Sequence, residues 1–202
     1  MNSETTKAFQ KVYQGAEWGP SVIPEVNGGS GPGSNPANAK PYMEFLQKFL
    51  SENQIQSVVD IGSGDWQFSR FINWNGIDYT GIECVPEVLV KVSQQFGNEH
   101  IKFINVDVLS NPESIPSGDL CIMKDVIQHW PNENITNFLT VLLEKKLFKY
   151  ILLTNCWDQT SDRSSISMGE FIPLNPEMSP LKEFSPQVVF EYGSKKTCLI
   201  IC

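Results

Sequence analysis

Rhythm constrains this chain more than any single residue does. Five short apolar runs, QSVVDI (56–61), DYTGIE (78–83), IKFINV (101–106), DLCIM (119–123) and YILLTN (150–155), are separated by helically spaced stretches at about 66–73, 86–96 and 132–147. Strand alternating with helix predicts a parallel sheet with covered faces, because a parallel pair needs a crossover that runs back along the sheet. The ending departs from that rhythm. QVVFEY (187–192) and TCLII (197–201) are joined only by residues 193–196, too few for a crossover, so they are expected to pair as an antiparallel hairpin. The expectation is an α/β fold: a seven-stranded, mostly parallel sheet with helices on both faces and a C-terminal antiparallel hairpin.

A length of 202 residues suits one ordinary domain with a sizeable core. Within 38–52, Tyr42, Phe45, Leu46, Phe49 and Leu50 recur at the spacing of an amphipathic helix that covers one face of that core. Residues 1–37 show little periodicity and end in a run of Gly, Ser, Pro and Asn, NGGSGPGSNPA, which reads as a loop. The division is therefore an N-terminal segment with a Gly-rich lid, 1–37, and a single domain, 38–202. That Gly-rich run reads either as a flexible linker or as a lid that brings Trp18 over a ligand. Pro32, Pro36 and the helix that follows favour the lid.

The charge is acidic, 15 Lys plus Arg against 23 Asp plus Glu, and no basic cluster offers a track for a phosphate backbone, so nucleic acid is a poor partner. No apolar run approaches the roughly 20 residues needed to span a bilayer, and the start MNSETTKAF lacks a signal-peptide core. A cytoplasmic location is expected. The five cysteines form no Cys-x-x-Cys pair and read as reduced thiols, and no ligand cluster has the spacing of a metal site.

Chemistry concentrates at Asp60-Ile61-Gly62-Ser63-Gly64, where the first strand-like run ends in two glycines. In an open α/β sheet, ligands collect at the carboxyl ends of strands, where glycines let backbone approach them. Glu83 closes the second run, in the place where a carboxylate accepts the ribose hydroxyl hydrogens of a nucleoside. A dinucleotide fingerprint wants a third glycine where Gln67 stands, which disfavours a nicotinamide oxidoreductase, as does the terminal hairpin. An acid just before the glycines also suits a ligand with a cationic amino group better than one with two phosphates.

These residues resemble the class I S-adenosylmethionine-dependent methyltransferases, over about residues 55–157 and the terminal hairpin. The resemblance implies a Rossmann-like fold with S-adenosylmethionine as cofactor and S-adenosylhomocysteine as product. It places the methionine end of the cofactor at Asp60, Gly62 and Gly64, the ribose at Glu83 and the adenine at Asp107, with Trp18, Ser63, Asp65, Trp66, Val108 and Lys124 also at the cofactor. Taken singly, Asp107 also reads as a helix cap and Glu83 as a surface acid. The stretches GSGPGSNPANAKPY, DWQFS and DVIQHWPN are further similar to small bacterial and viral methyltransferases associated with glycan modification. That narrower likeness implies a sugar hydroxyl as acceptor, and a glycosyltransferase as partner or fused domain.

The run MKDVIQHWPN follows the fourth strand and sets Lys124, Asp125, Gln128, His129 and Trp130 beside the transferable methyl. Methyl transfer requires the enzyme to align the acceptor and remove its proton. His129 is the natural base, with Asp125 four residues earlier orienting it if the segment between them is one helical turn. The plainer reading has Asp125 capping the turn and His129 packing. An Asn-Pro-Pro-Tyr type motif, common in amine methyltransferases, is replaced here by Lys124-Asp125-Val126-Ile127, which favours an oxygen acceptor. An amine acceptor and a non-catalytic cofactor-binding module remain as alternatives. The irregular stretch between Trp157 and Ser185 offers Trp157, Asp158, Asp162 and Arg163, with Gln128 and Trp130, as acceptor contacts, or as ordinary surface.

Overall fold

The computed structural model describes residues 3–21, 23, 26–158, 164 and 166–202. Its strands are β1 (Ser57–Ile61), β2 (Asp78–Glu83), β3 (Ile101–Asn105), β4 (Gly118–Lys124), β5 (Phe148–Cys156), β6 (Gln187–Tyr192) and β7 (Lys195–Ile201), and its α-helices are α1 (Glu4–Gly15), α2 (Pro36–Glu52), α3 (Pro86–Phe96) and α4 (Asn132–Lys145). The sheet order is β3-β2-β1-β4-β5-β7-β6. β1 to β5 pair in parallel, and β7 lies antiparallel to both β5 and β6. The expected mostly parallel sheet with a terminal hairpin is what forms. The hairpin turn is tighter than expected: β7 already begins at Lys195, and only Gly193 and Ser194 separate it from β6.

Central strands buried on both faces carry continuous apolar runs, as a parallel sheet requires; Leu120 through Met123 of β4 and Ile151 through Leu153 of β5 are all buried. α2 lies against the sheet through Tyr42, Leu46 and Phe49, with Phe45 stacked on Phe190 of β6 at 4.7 Å and Phe49 edge-on to Tyr150 of β5. α4 contributes Ile135, Phe138, Leu139 and Leu142 at helical spacing. Truncating any of these fully enclosed side chains, Leu46 or Leu139 for example, is expected to cost about 2–5 kcal/mol.

Two local expectations are corrected. The segment before residue 37 is not all loop, since Glu4–Gly15 is a helix capped by the Ser3 hydroxyl, which accepts from Thr6 N at 3.0 Å. The Gly-rich run masked a real apolar stripe, Phe9, Val12 and Tyr13, which is buried. Conversely, 66–73 is no α-helix but a single 3-10 turn at Ser69–Phe71. Trp66 takes a left-handed φ of 55°, and its ring packs on Tyr79, Phe96 and Phe103, whereas Phe68 turns to Tyr42. Apolar residues that serve different neighbours cannot share one helical stripe.

Candidate functional site

At the carboxyl ends of β1, β2 and β4 the sheet opens into a cleft with about 660 Å³ of empty space, part of it open solvent. The cleft brings together Trp18, Gly62, Glu83, Asp107, Val108, Lys124, Asp125, His129 and Trp130 from among the residues singled out in the sequence. α1 and the Gly-rich segment roof it, contributing Thr5, Phe9, Tyr13, Ser30 and Ser34. None of the five was singled out as a site residue, although Ser30 and Ser34 belong to the Gly-rich run read as a lid. A helix-start pattern at Ser3, followed by Phe9, Val12 and Tyr13, is the signal that marks the roof helix.

The glycine turn works by making room. Gly62 has φ +74° and a Cβ there would lie 2.5 Å from Val126; at Gly64, φ +55°, it would lie 2.1 Å from the Ser30 hydroxyl. The backbone N–H groups of the turn are spent internally, contrary to the expectation that they face a ligand. Gly62 N and Ser63 N both donate to Ile82 O, Gly64 N donates to Glu83 Oε2 at 3.2 Å, and Asp65 N donates to the Ser30 hydroxyl at 2.9 Å.

Asp60 sits beneath the turn, outside the cleft lining, where it accepts from the Tyr79 hydroxyl at 2.6 Å. Burial pushes its carboxyl up to about 7, against the Tyr79 hydrogen bond and the Lys124 charge. Asp65, fully enclosed, ties the roof down: its carboxylate accepts from Ser21 Oγ at 2.5 Å, Gln67 Nε2 at 2.7 Å and Ser30 N at 3.3 Å. Ser63 and Trp66 are buried around the turn and do not line the cleft.

Glu83 is buried at the end of β2, with Oε1 accepting from Val85 N at 3.0 Å and Oε2 from Gly64 N. Cys84 adds a thiol and a backbone hydrogen bond to the same carboxylate, which lines the cleft. Burial raises its proton affinity, and the backbone donors pull the other way. Asp107 accepts from Leu109 N at 3.1 Å and Ser110 Oγ at 2.6 Å, so it caps its own turn while lining the cleft.

Asp125 and His129 lie in the same cleft but do not pair. The expected helical turn between them is a short 3-10 segment, Ile127–His129, and Asp125 adopts φ +60°. Its carboxylate turns to two lysines: Oδ2 to Lys124 Nζ at 2.7 Å and Oδ1 to Lys195 Nζ at 2.5 Å. Burial alone would raise Asp125, but the two ammoniums outweigh it and hold the carboxyl below its ordinary range; burial lowers Lys124. His129 Nδ1 instead lies 3.1 Å from Glu170 O, and the ring is enclosed by Trp18 at 4.7 Å, Phe171 at 5.7 Å and Phe9 at 6.5 Å.

The remaining acceptor candidates are dispersed. Gln128 Oε1 accepts from Cys156 N, fixing the β4 end to the β5 end, and Trp130 packs edge-on to Phe138 while lining the cleft. Trp157 lies under the Lys196 ammonium at 4.1 Å, and Asp158 is exposed. Asp162 and Arg163 lie outside the described residues. No helix among the described residues is long and apolar enough to cross a membrane.

No family model matches the sequence. Cephaeline 6′-O-methyltransferase IpeOMT1 of Carapichea ipecacuanha is 27% identical over 93 residues, which is 46% of this chain and 25% of that protein. Caffeic acid 3-O-methyltransferase of Prunus dulcis is 25% identical over 142 residues, 67% of this chain and 32% of that one. The chain thus spans about a quarter to a third of the length of these relatives. Among solved structures, human N-acetylserotonin methyltransferase in complex with SAM superposes with a TM-score of 0.57 at 18% identity, covering 84% of this chain and 57% of that one. The fold is therefore the Rossmann-like fold of methyltransferases; function has to be argued from the site.

Proposed function

We propose that this chain is an S-adenosylmethionine-dependent O-methyltransferase that acts on a hydroxyl group, with a sugar hydroxyl as acceptor. The observation that carries this reading is one cleft walled by Glu83 after the glycine turn and, across it, by His129 beyond β4. The names of the two relatives agree with O-methylation and that of the structural neighbour with methyl transfer, and none of them names a sugar acceptor.

The residues present fit the cofactor. The Glu83 carboxylate would accept ribose hydroxyl hydrogens, Asp107 and Val108 would meet the adenine, and Lys124 lines the same cleft. Bound S-adenosylmethionine supplies a methyl group already activated by its sulfonium. The chain must then orient the acceptor and take its proton.

We assign that task to His129, which lines the cleft. If Nδ1–H donates to Glu170 O, Nε2 is unprotonated and its lone pair is turned toward Gln128 Nε2 at 3.5 Å, which an acceptor hydroxyl would have to displace. Glu170 O therefore does what was expected of Asp125. The rings of Phe9, Trp18 and Phe171 around His129 support the sugar reading, since aromatic faces stack on the apolar face of a sugar ring. A glycosyltransferase partner or fused domain belongs to the same reading. Calorimetry with S-adenosylhomocysteine, then a glycan screen with a labelled methyl donor, tests it; no binding at millimolar ligand would refute it.

A further inference from the structure

Between β1 and β2 the chain runs through residues 62–77 without an α-helix, whereas α3 and α4 fill the crossovers from β2 to β3 and from β4 to β5. A single 3-10 turn, Ser69–Phe71, is narrower than a helix and leaves a groove beside it, with about 1000 Å³ of empty space, part of it open solvent. Trp66 and Trp74 line its base as buried rings, and Trp74 Nε1 donates to Ser69 O at 2.8 Å, which fixes the turn. The groove shares no lining residue with the cleft.

The fixed turn presents Arg70 and Phe71. Phe71 is 59% exposed, and the Arg70 guanidinium lies over its ring at 4.8 Å. Arg70 Nε is buried without a hydrogen-bond partner, and no carboxylate among the described residues pairs with the guanidinium. A buried donor left unpaired is costly, and a ligand that supplies an acceptor offsets that cost. No Asp or Glu lines the groove, although the chain carries 23 of them, and the exposed amides of Asn73, Asn75 and Gln95 border it.

These groups define the ligand. A guanidinium is a planar fork that matches a carboxylate. The net charge of −8 gives a bare anion no help from the field of the whole protein, so the ring and the amides must contribute to binding. A saccharide uses both: its C–H face stacks on an exposed ring, and its hydroxyls exchange hydrogen bonds with amides.

We infer that this groove binds an acidic saccharide, with Arg70 receiving its carboxylate and Phe71 one face of its ring, and that it anchors a glycan acceptor whose reacting hydroxyl reaches the cleft. The anchoring role rests on the sugar reading above, while the binding itself does not. Holding a polymer at a second place raises its effective concentration at the cleft.

The test is calorimetry on the full chain, without cofactor, using oligogalacturonate and the same oligomer after reduction of its carboxyl groups. The wild-type chain should prefer the acidic oligomer by roughly tenfold. Arg70→Gln should abolish that preference, Phe71→Ser should weaken both oligomers alike, and both variants should bind S-adenosylhomocysteine as the wild type does. Binding of neither oligomer at millimolar concentration, or equal binding of both, by the wild-type chain overturns the inference even if a variant fails to fold. So does a preference unchanged in Arg70→Gln, or inorganic phosphate binding as tightly as the acidic oligomer. With an acceptor polymer from the glycan screen, Phe71→Ser should raise KM severalfold at unchanged kcat, and an unchanged KM removes the anchoring role. Each of these failures leaves the methyltransferase reading standing, since S-adenosylhomocysteine binding decides that separately.

Discussion

The two ends of the cleft are built in different ways. Glu83 is held by Gly64 N and Val85 N, both within one strand–turn–strand unit, so the spacing of a short stretch of chain carries the whole arrangement. At the other end Lys124 and Asp125 are completed by Gly33, from the segment before α2, and by Lys195, from the last strand. The first end is a local motif. The second exists only because β7 inserts beside β5 and the N-terminal segment folds over the sheet edge. A local motif can be tested by one substitution, whereas an assembled cluster spreads the effect of each change over several elements.

The largest expected effect lies between the two ends. As general base, His129 should contribute roughly 100-fold to 10,000-fold in rate. His129→Ala should therefore nearly abolish S-adenosylhomocysteine production while leaving cofactor affinity close to wild type, measured by turnover and calorimetry. Retention of more than about a tenth of the rate would remove the base assignment.

Next comes the local end. Glu83→Ala should weaken S-adenosylhomocysteine binding by about 1.5–3 kcal/mol, the range for hydrogen bonds to a charged group. Unchanged affinity would take Glu83 out of the site. Asp65→Ala deprives Ser21, Ser30 and Gln67 of a shared acceptor beneath the roof and should cost about 1–3 kcal/mol of stability in urea unfolding. If the roof is held mainly by its apolar contacts, that loss will be absent.

The smallest effect is linked to pH and touches the assembled end. The Asp60 carboxyl is raised from an ordinary value of 3.8 to about 7, so the native state binds this proton more tightly than the unfolded chain. The stability it provides is complete below the unfolded value and is lost as pH rises through the folded one. From about pH 6 to about pH 7, the wild-type chain should lose on the order of 1 kcal/mol relative to Asp60→Asn. Parallel urea titrations at the two pH values check this, and an unchanged difference would show that Asp60 is ionised throughout.

The sequence by itself determined the sheet and the local end of the site. Alternating apolar runs required a parallel sheet, and a connection no longer than residues 193–196 required the hairpin, because strand and helix periods and connection lengths are short-range properties. The positions of Gly62 and Glu83 were legible for the same reason, each standing at or just past a strand end that its own neighbours define, whereas Asp60, expected at the cofactor, lies outside the cleft lining. Tertiary structure decided the rest. It moved the support of His129 from Asp125 to Glu170 O, since a left-handed Asp125 turns its carboxylate toward charges that no local spacing displays. It made α1 a roof, and it brought Lys195 to Asp125 from the far end of the chain. Such contacts depend on which strands become neighbours, and that is settled by packing the whole sheet at once.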